Sequence, residues 1–229
     1  MIIKGKKYLF SKGLAFYAEM ESQRLERELS EGWLIDKIHW LGFYRLKQVE
    51  QEQAQVVIDF YPGKKSEIDE YIDIYQAAGW ESVTSYRQRY FIFKSDIGTE
   101  AVYTDEESYA SRLSKERQWM LLNSLYFVLI GLIGVLLMKM PMTKEFLLSM
   151  PSIYYTIGGV TMISLMFPIV MLSLLLYYKL IYSKRQAYFK EPKRYAKRQH
   201  FFIDLIFAGL IGGVLGGIIG FVTGYFGLF

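Results

Sequence analysis

The chain has 229 residues, a formal net charge of +4 and 52% hydrophobic residues, enough for one folded domain plus a membrane unit. The positive excess is local. Residues 1–118 hold 17 Lys/Arg and 20 Asp/Glu, and residues 119–229 hold 10 and 3, which argues against a nucleic-acid surface and for anionic lipid head groups. There is no Cys, so disulfides, thiol nucleophiles and thiolate metal sites are excluded.

The N-terminal MIIKGKKYLF lacks a long apolar core and a small-residue cleavage site, so it does not read as a secretory signal. Tyr8–Phe10 reads as a short strand, and Leu14–Ser30 as a helix with Tyr17, Met20, Leu25 and Leu29 near one side. Gly32 ends that helix, because glycine tolerates the left-handed conformation past a helix terminus. Trp33–Ile38 and Phe43–Lys47 read as a strand pair. In Gln55–Tyr61 apolar positions alternate with a strand period, and Pro62-Gly63 breaks it. Ser66–Ala78 is the clearer helix, with Ile68, Tyr71, Ile72 and Tyr75 at i, i+3, i+4 and i+7. Gly79 stops it, and strands near Glu81–Tyr86 and Tyr90–Lys94 follow.

These elements repeat. A shift of 47 positions places Leu25 on Ile72, Gly32-Trp33 on Gly79-Trp80, Phe43-Tyr44 on Tyr90-Phe91, and Leu46-Lys47 on Phe93-Lys94. Each half reads strand, helix, strand, strand. The expected fold is α+β: a duplicated βαββ unit forming an antiparallel sheet with two helices on one face, ahead of an all-α unit of three transmembrane helices. The expected boundaries are 1–100 for the duplicated domain, 101–118 for a juxtamembrane helix and 119–229 for the membrane region. Trp33 and Trp80 suit core packing, with ligand stacking as the alternative. A ligand or partner is expected at the open sheet face or at the seam between repeats.

Gly32-Trp33, Gly42-Phe43-Tyr44, Ile58-Asp59 and Gly79-Trp80 carry a resemblance. Over residues 5–95 the chain resembles an uncharacterised Firmicute family known only as a domain of unknown function, usually followed by transmembrane helices. Its members are often encoded beside PadR-like transcription regulators. The resemblance implies signalling or stress response and assigns no activity.

Thr104-Asp105-Glu106-Glu107 fits a capping box, with Thr104 and Glu107 as the paired caps. A helix is expected from there, carrying Arg112 and Glu116 four apart and running into the first span. Trp119 falls at the head-group level, where an amphipathic ring is favoured. Three apolar segments follow, at about 120–140, 154–181 and 201–229, each long enough to span a bilayer. Arg112, Lys115 and Arg117 precede the first, and only Lys139 and Lys144 lie between the first and second. Lys184, Arg185, Lys190, Lys193, Arg194, Lys197 and Arg198 lie between the second and third. The N-terminus is therefore expected inside and the C-terminus outside. Trp119, Lys184, Arg185, Lys193, Arg194, Lys197 and Arg198 are the candidate interface and lipid-contacting residues.

The first span contains Gly131 and Gly134, and the second contains Gly158-Gly159 and Pro168. In the third, Gly209, Gly213 and Gly217 recur every four residues, as do Gly212, Gly216, Gly220 and Gly224. Such a face lets a helix approach closely. It serves packing against the other spans, a homo-oligomer or a protein partner. Asp204 is expected near the cytoplasmic interface, within reach of Lys197, Arg198 or His200.

His39 and His200 form no metal-ligand spacing, and no nucleophile elbow, P-loop or dinucleotide fingerprint occurs. No catalytic, cofactor-binding or metal residue is assigned. Glu67, Asp69, Glu70 and Asp73 have the spacing of a solvated helix face. The expected function is a non-enzymatic multi-pass membrane protein whose cytosolic domain binds a protein or small ligand. The alternative is an accessory or immunity subunit docking on a transporter or membrane-active peptide through the glycine-rich third span.

Overall fold

The computed structural model describes residues 1–225; positions 226–229, with which the third apolar segment was expected to end, lie outside the described residues. The chain divides into two compact units. The first comprises Met1–Glu116 with Ser183–Phe201, and the second Arg117–Tyr182 with the chain from Phe202 onward.

The first unit is the antiparallel α+β domain. Its elements are β1 (Ile2–Ile3), β2 (Lys6–Phe10), α1 (Ala18–Ser30), β3 (Trp33–Ile38), β4 (Phe43–Gln48), β5 (Ala54–Phe60), α2 (Ile68–Ala77), β6 (Glu81–Tyr86) and β7 (Tyr90–Asp96). The first strands pair in the order β1-β2-β4-β3 and the last three as β5-β7-β6. β3 and β6 touch at the seam, where the Thr84 hydroxyl donates to Asp36 O at 3.4 Å.

The repeat is visible in three dimensions. β2-β4-β3 and β5-β7-β6 have the same strand order. Register shifts fall between Ile35 and Lys37 and between Ser82 and Thr84, each position 47 residues from its counterpart. Gly32 and Gly79 both have φ of +84°, and their amides donate to Leu29 O and Gln76 O at 2.9 Å each. Any other residue there would strain the helix exit.

Val57 on β5 and Tyr61 just past its end turn toward α2, where they pack with Ile68, Tyr75, Trp80, Phe91 and Phe93. Tyr75 stacks on Phe93 at 3.9 Å between ring centroids. Val56, Ile58 and Phe60 take the other face and are also buried. Helix α1 packs on β5 and β3. Its Glu26 carboxylate accepts the Val56 N–H at 3.2 Å, which closes an otherwise open strand edge.

The first unit reaches past residue 100. It takes in the start of α3 (Glu106–Lys139) and the loop 183–201 with its short helix α6 (Pro192–Ala196). The α3 cap differs from the expected pairing. Asp105 accepts both the Ser108 amide and its hydroxyl at 2.7 Å, so the cap lies one residue later than Thr104/Glu107. The Ser108 backbone N–H holds the Asp105 carboxyl below its usual range.

The second unit contains the rest of α3, α4 (Pro141–Leu148), α5 (Pro151–Ile181) and α7 (Phe201–Tyr225, whose first residue belongs to the domain). Helices α3, α5 and α7 are long and apolar enough to cross a membrane. Gly131 and Gly134 let α3 and α5 meet: a Cβ at either would overlap Leu165 or the Thr161 hydroxyl. Phe127 and Phe167 add a ring contact at 4.4 Å.

Candidate functional site

Two buried carboxylates organise the domain. Asp59, on β5, is 2% exposed. Tyr71 and Tyr75, one turn apart on α2, each donate to its Oδ2 at 2.7 Å. Tyr103 donates at 3.0 Å, and Arg112 Nε donates to Oδ1 at 2.9 Å. Arg112 then donates to Glu116 at 3.0 Å. The Arg112 guanidinium pairs with this carboxylate and compensates its charge. Burial first, and then the Asp59 charge, raise the Tyr71, Tyr75 and Tyr103 hydroxyls far above their ordinary value, so they remain donors.

Glu19, on α1, is the second centre. Arg185 donates to both its oxygens, at 2.7 and 3.1 Å. Gln199 Nε2 donates at 2.9 Å and the Tyr109 hydroxyl at 3.0 Å. Burial alone would raise Glu19; the Arg185 guanidinium outweighs it and holds the carboxyl below its usual range. Gln199 also accepts the Met20 amide at 3.0 Å and donates to Phe16 O at 2.9 Å. Lys193 pairs with Glu26 at 2.9 Å. The basic loop is thus held on α1 by side chains at both of its ends.

Between these centres lies a cleft of about 170 Å³. Its walls come from α1, β5, the 99–109 segment and loop residues 189–193. Tyr75, Trp80, Tyr103 and Tyr109 supply aromatic wall, and Glu19, Glu26 and Asp59 supply carboxylates already engaged by Arg185, Lys193 and Arg112. The result is a small, charge-compensated recess with an aromatic wall. It suits a small ligand with an apolar body and a few polar groups.

Of the residues singled out from sequence, Trp80 lines this cleft and donates from its indole to Glu100 O at 3.0 Å. Trp33 is half-buried under the Lys7 ammonium, 5.6 Å from its ring. Trp119 is half-buried on α3. Lys184, Lys193, Arg194, Lys197 and Arg198 are exposed, with Arg194 paired to Glu191 and Arg198 over the Tyr188 ring. Arg185 is turned inward onto Glu19, a placement its position in a basic run did not signal. Asp59 carried one signal, a single acid in the apolar strand VVIDFY.

On α7, a Cβ at Gly216 or Gly220 would touch Met166 or Met162. A Cβ at Gly209, Gly212, Gly213, Gly217 or Gly224 would meet nothing within 4 Å among the described residues. Asp204 is buried under three tyrosines, Tyr177 and Tyr178 of α5 and Tyr182 just past its end, which donate at 2.8, 3.3 and 2.6 Å. None of these was among the partners expected for it.

Residues 18–125 match the family described as "Protein of unknown function (DUF2812)". The match runs from the start of α1 into α3, so it contains Asp59, all three of its tyrosines, Arg112 and Glu116. No curated protein and no solved structure matches the chain.

Proposed function

We propose that this multi-pass membrane protein is a non-enzymatic ligand-responsive protein: its N-terminal domain lies in the cytosol and takes a small ligand into the cleft beside Trp80. The C-terminus is extracellular. The observation that carries the reading is the cleft itself, a recess with an aromatic wall, bounded also by the loop joining the second and third spans. Ligand occupancy would be felt at once by that loop and by α3, whose Tyr109 and Arg112 belong to the two carboxylate centres. The single unit formed by residues 1–116 and 183–201 supports the orientation, because both basic flanks must then share one side of the membrane. The resemblance to a family often encoded beside PadR-like regulators supports a signalling or stress-response role.

The test is native mass spectrometry of the full chain purified in nanodiscs, with Ala101→Phe as the cleft-filling variant. A reproducible small-molecule adduct on the wild type, absent from Ala101→Phe, supports the reading. No adduct on either, with unchanged tryptophan emission when cell-extract metabolites are added, rejects it.

The open glycines of α7 favour a second reading. There the protein is an accessory or immunity subunit whose third span packs on a partner helix or a second copy. Gly213→Leu and Gly217→Leu would then abolish co-purification and leave the domain folded.

A further inference from the structure

The two repeats differ on one sheet face. In the second repeat, Ile58, Phe60, Tyr90 and Ile92 point away from α2, and all are buried. The pairs Phe60–Tyr90 and Ile58–Ile92 correspond in register to Phe10–Phe43 and Tyr8–Arg45 of the first repeat. There the same face is open: Phe10 is 54% exposed and Phe43 is 41% exposed. Their rings touch at 5.5 Å between centroids. The adjoining hairpin tip presents Trp40, 76% exposed, and Leu41.

This face is also cationic. Lys6 stands directly opposite Lys47, and Lys37 opposite Arg45. Like charges in directly opposed positions repel. Arg45 is relieved by Asp36, whereas Lys6, Lys37 and Lys47 form no ion pair among the described residues. The first twelve residues add Lys4 and Lys12, and no acidic residue precedes Glu19. Aromatic and aliphatic side chains at a tip, beside a row of uncompensated lysines, match the chemistry of a leaflet surface: rings enter the head-group layer and ammonium groups meet lipid phosphates. The chain's own apolar helices keep such a leaflet within reach.

We propose that the open face of the β1-β2-β4-β3 sheet docks on an anionic bilayer surface, with Trp40 and Leu41 entering the interface and Lys6 and Lys47 meeting head-group phosphates. This contact is independent of what the cleft binds.

The chain has no cysteine, so Leu41→Cys gives a unique nitroxide site in the full-length protein. Ser66→Cys, on an exposed turn before α2, serves as the reference site. Both are reconstituted in phosphatidylglycerol-containing vesicles, in phosphatidylcholine vesicles and in detergent. The expected result is that position 41 in anionic vesicles gains oxygen accessibility and loses accessibility to an aqueous nickel complex, while position 66 stays aqueous. Lys6→Glu should lower the docked-to-free ratio by about fivefold or more, the factor expected for one basic residue at such a surface. Equal nickel accessibility of position 41 in all three media overturns the proposal. Protection from both reagents regardless of lipid overturns it too, because the face is then covered by protein.

Discussion

Arg185 and Glu19 lie 166 positions apart, and the guanidinium holds both carboxylate oxygens, at 2.7 and 3.1 Å. The pair fixes the inter-span loop to α1. Both groups are largely withdrawn from water, so removing one leaves a buried charge without its partner. Arg185→Met is expected to destabilise the domain by about 3 kcal/mol or more. The double variant Glu19→Gln/Arg185→Met should recover much of that loss. Hydrogen exchange of the α1 amides in the intact protein measures both. The acid limb carries the same signature. Glu19 has a folded pKa below its unfolded one, so its contribution is present above the unfolded value and is lost as pH falls through the folded one. Equal exchange in Arg185→Met and wild type would remove the pair as a stabilising contact.

Asp59 presents a different balance. Four donors converge on two oxygens, and none of the three tyrosines loses its proton at ordinary pH. Asp59→Asn keeps the shape, halves the acceptors and leaves Arg112 with only Glu116. A loss of about 3 kcal/mol is expected, since buried charge partners are costly to orphan. Tyr71→Phe removes one donor and should cost about 1 kcal/mol. Denaturant unfolding followed by tryptophan fluorescence distinguishes the two. Equal midpoints for Asp59→Asn and Tyr71→Phe would mean that the charge is unimportant.

What could be read from the chain was local or periodic. Gly32 and Gly79, the Ile68–Tyr75 stripe and the three apolar runs announce themselves through spacing, because each is decided by neighbours within a turn or two. The α3 cap falls one residue later than the spacing suggests, because Thr104–Glu107 and Asp105–Ser108 both satisfy capping chemistry and the carboxylate is the stronger acceptor. Asp59 and Arg185 were opaque for another reason. Their partners come from segments 53 and 166 positions away, and only the folded chain brings them together. Arg185 was also camouflaged, one of seven bases in a run whose other members face water.

Glu21 gives a pH test of the domain. It is 0% exposed, and its carboxylate lies beside the Tyr44 hydroxyl with Arg24 at 3.6 Å. Burial pushes its pKa up, against the weaker pull of Tyr44 and Arg24. The folded state therefore holds its proton more tightly than the unfolded chain does. Stability attributable to this site is complete below the unfolded pKa and declines as pH rises through the folded one. Glu21→Gln, which is neutral throughout, should be more stable than wild type at neutral pH and indistinguishable from it at acid pH. Thermal unfolding across that range is the measurement. A gap that is constant with pH would show that the carboxylate does not titrate on folding.

Asp204 tests the membrane unit. Tyr177, Tyr178 and Tyr182 cluster at the end of α5, and their hydroxyls meet Asp204 in the first turn of α7. A carboxylate near a helix start is electrostatically favoured, and here it also joins two candidate spans. Inter-helix hydrogen bonds in membranes are individually modest, about 0.6 kcal/mol on average. Asp204→Ala removes three at once and should cost about 2 kcal/mol on that scale. Asp204→Asn keeps one acceptor and should cost less. Hydrogen exchange of the first α7 turn in nanodiscs reads the difference, with protection falling in the order wild type, Asp204→Asn, Asp204→Ala. Tyr182→Phe, which deletes the shortest of the three bonds, should fall between wild type and Asp204→Ala. If Asp204→Ala keeps wild-type protection, the tyrosine cluster does not hold α7 against α5.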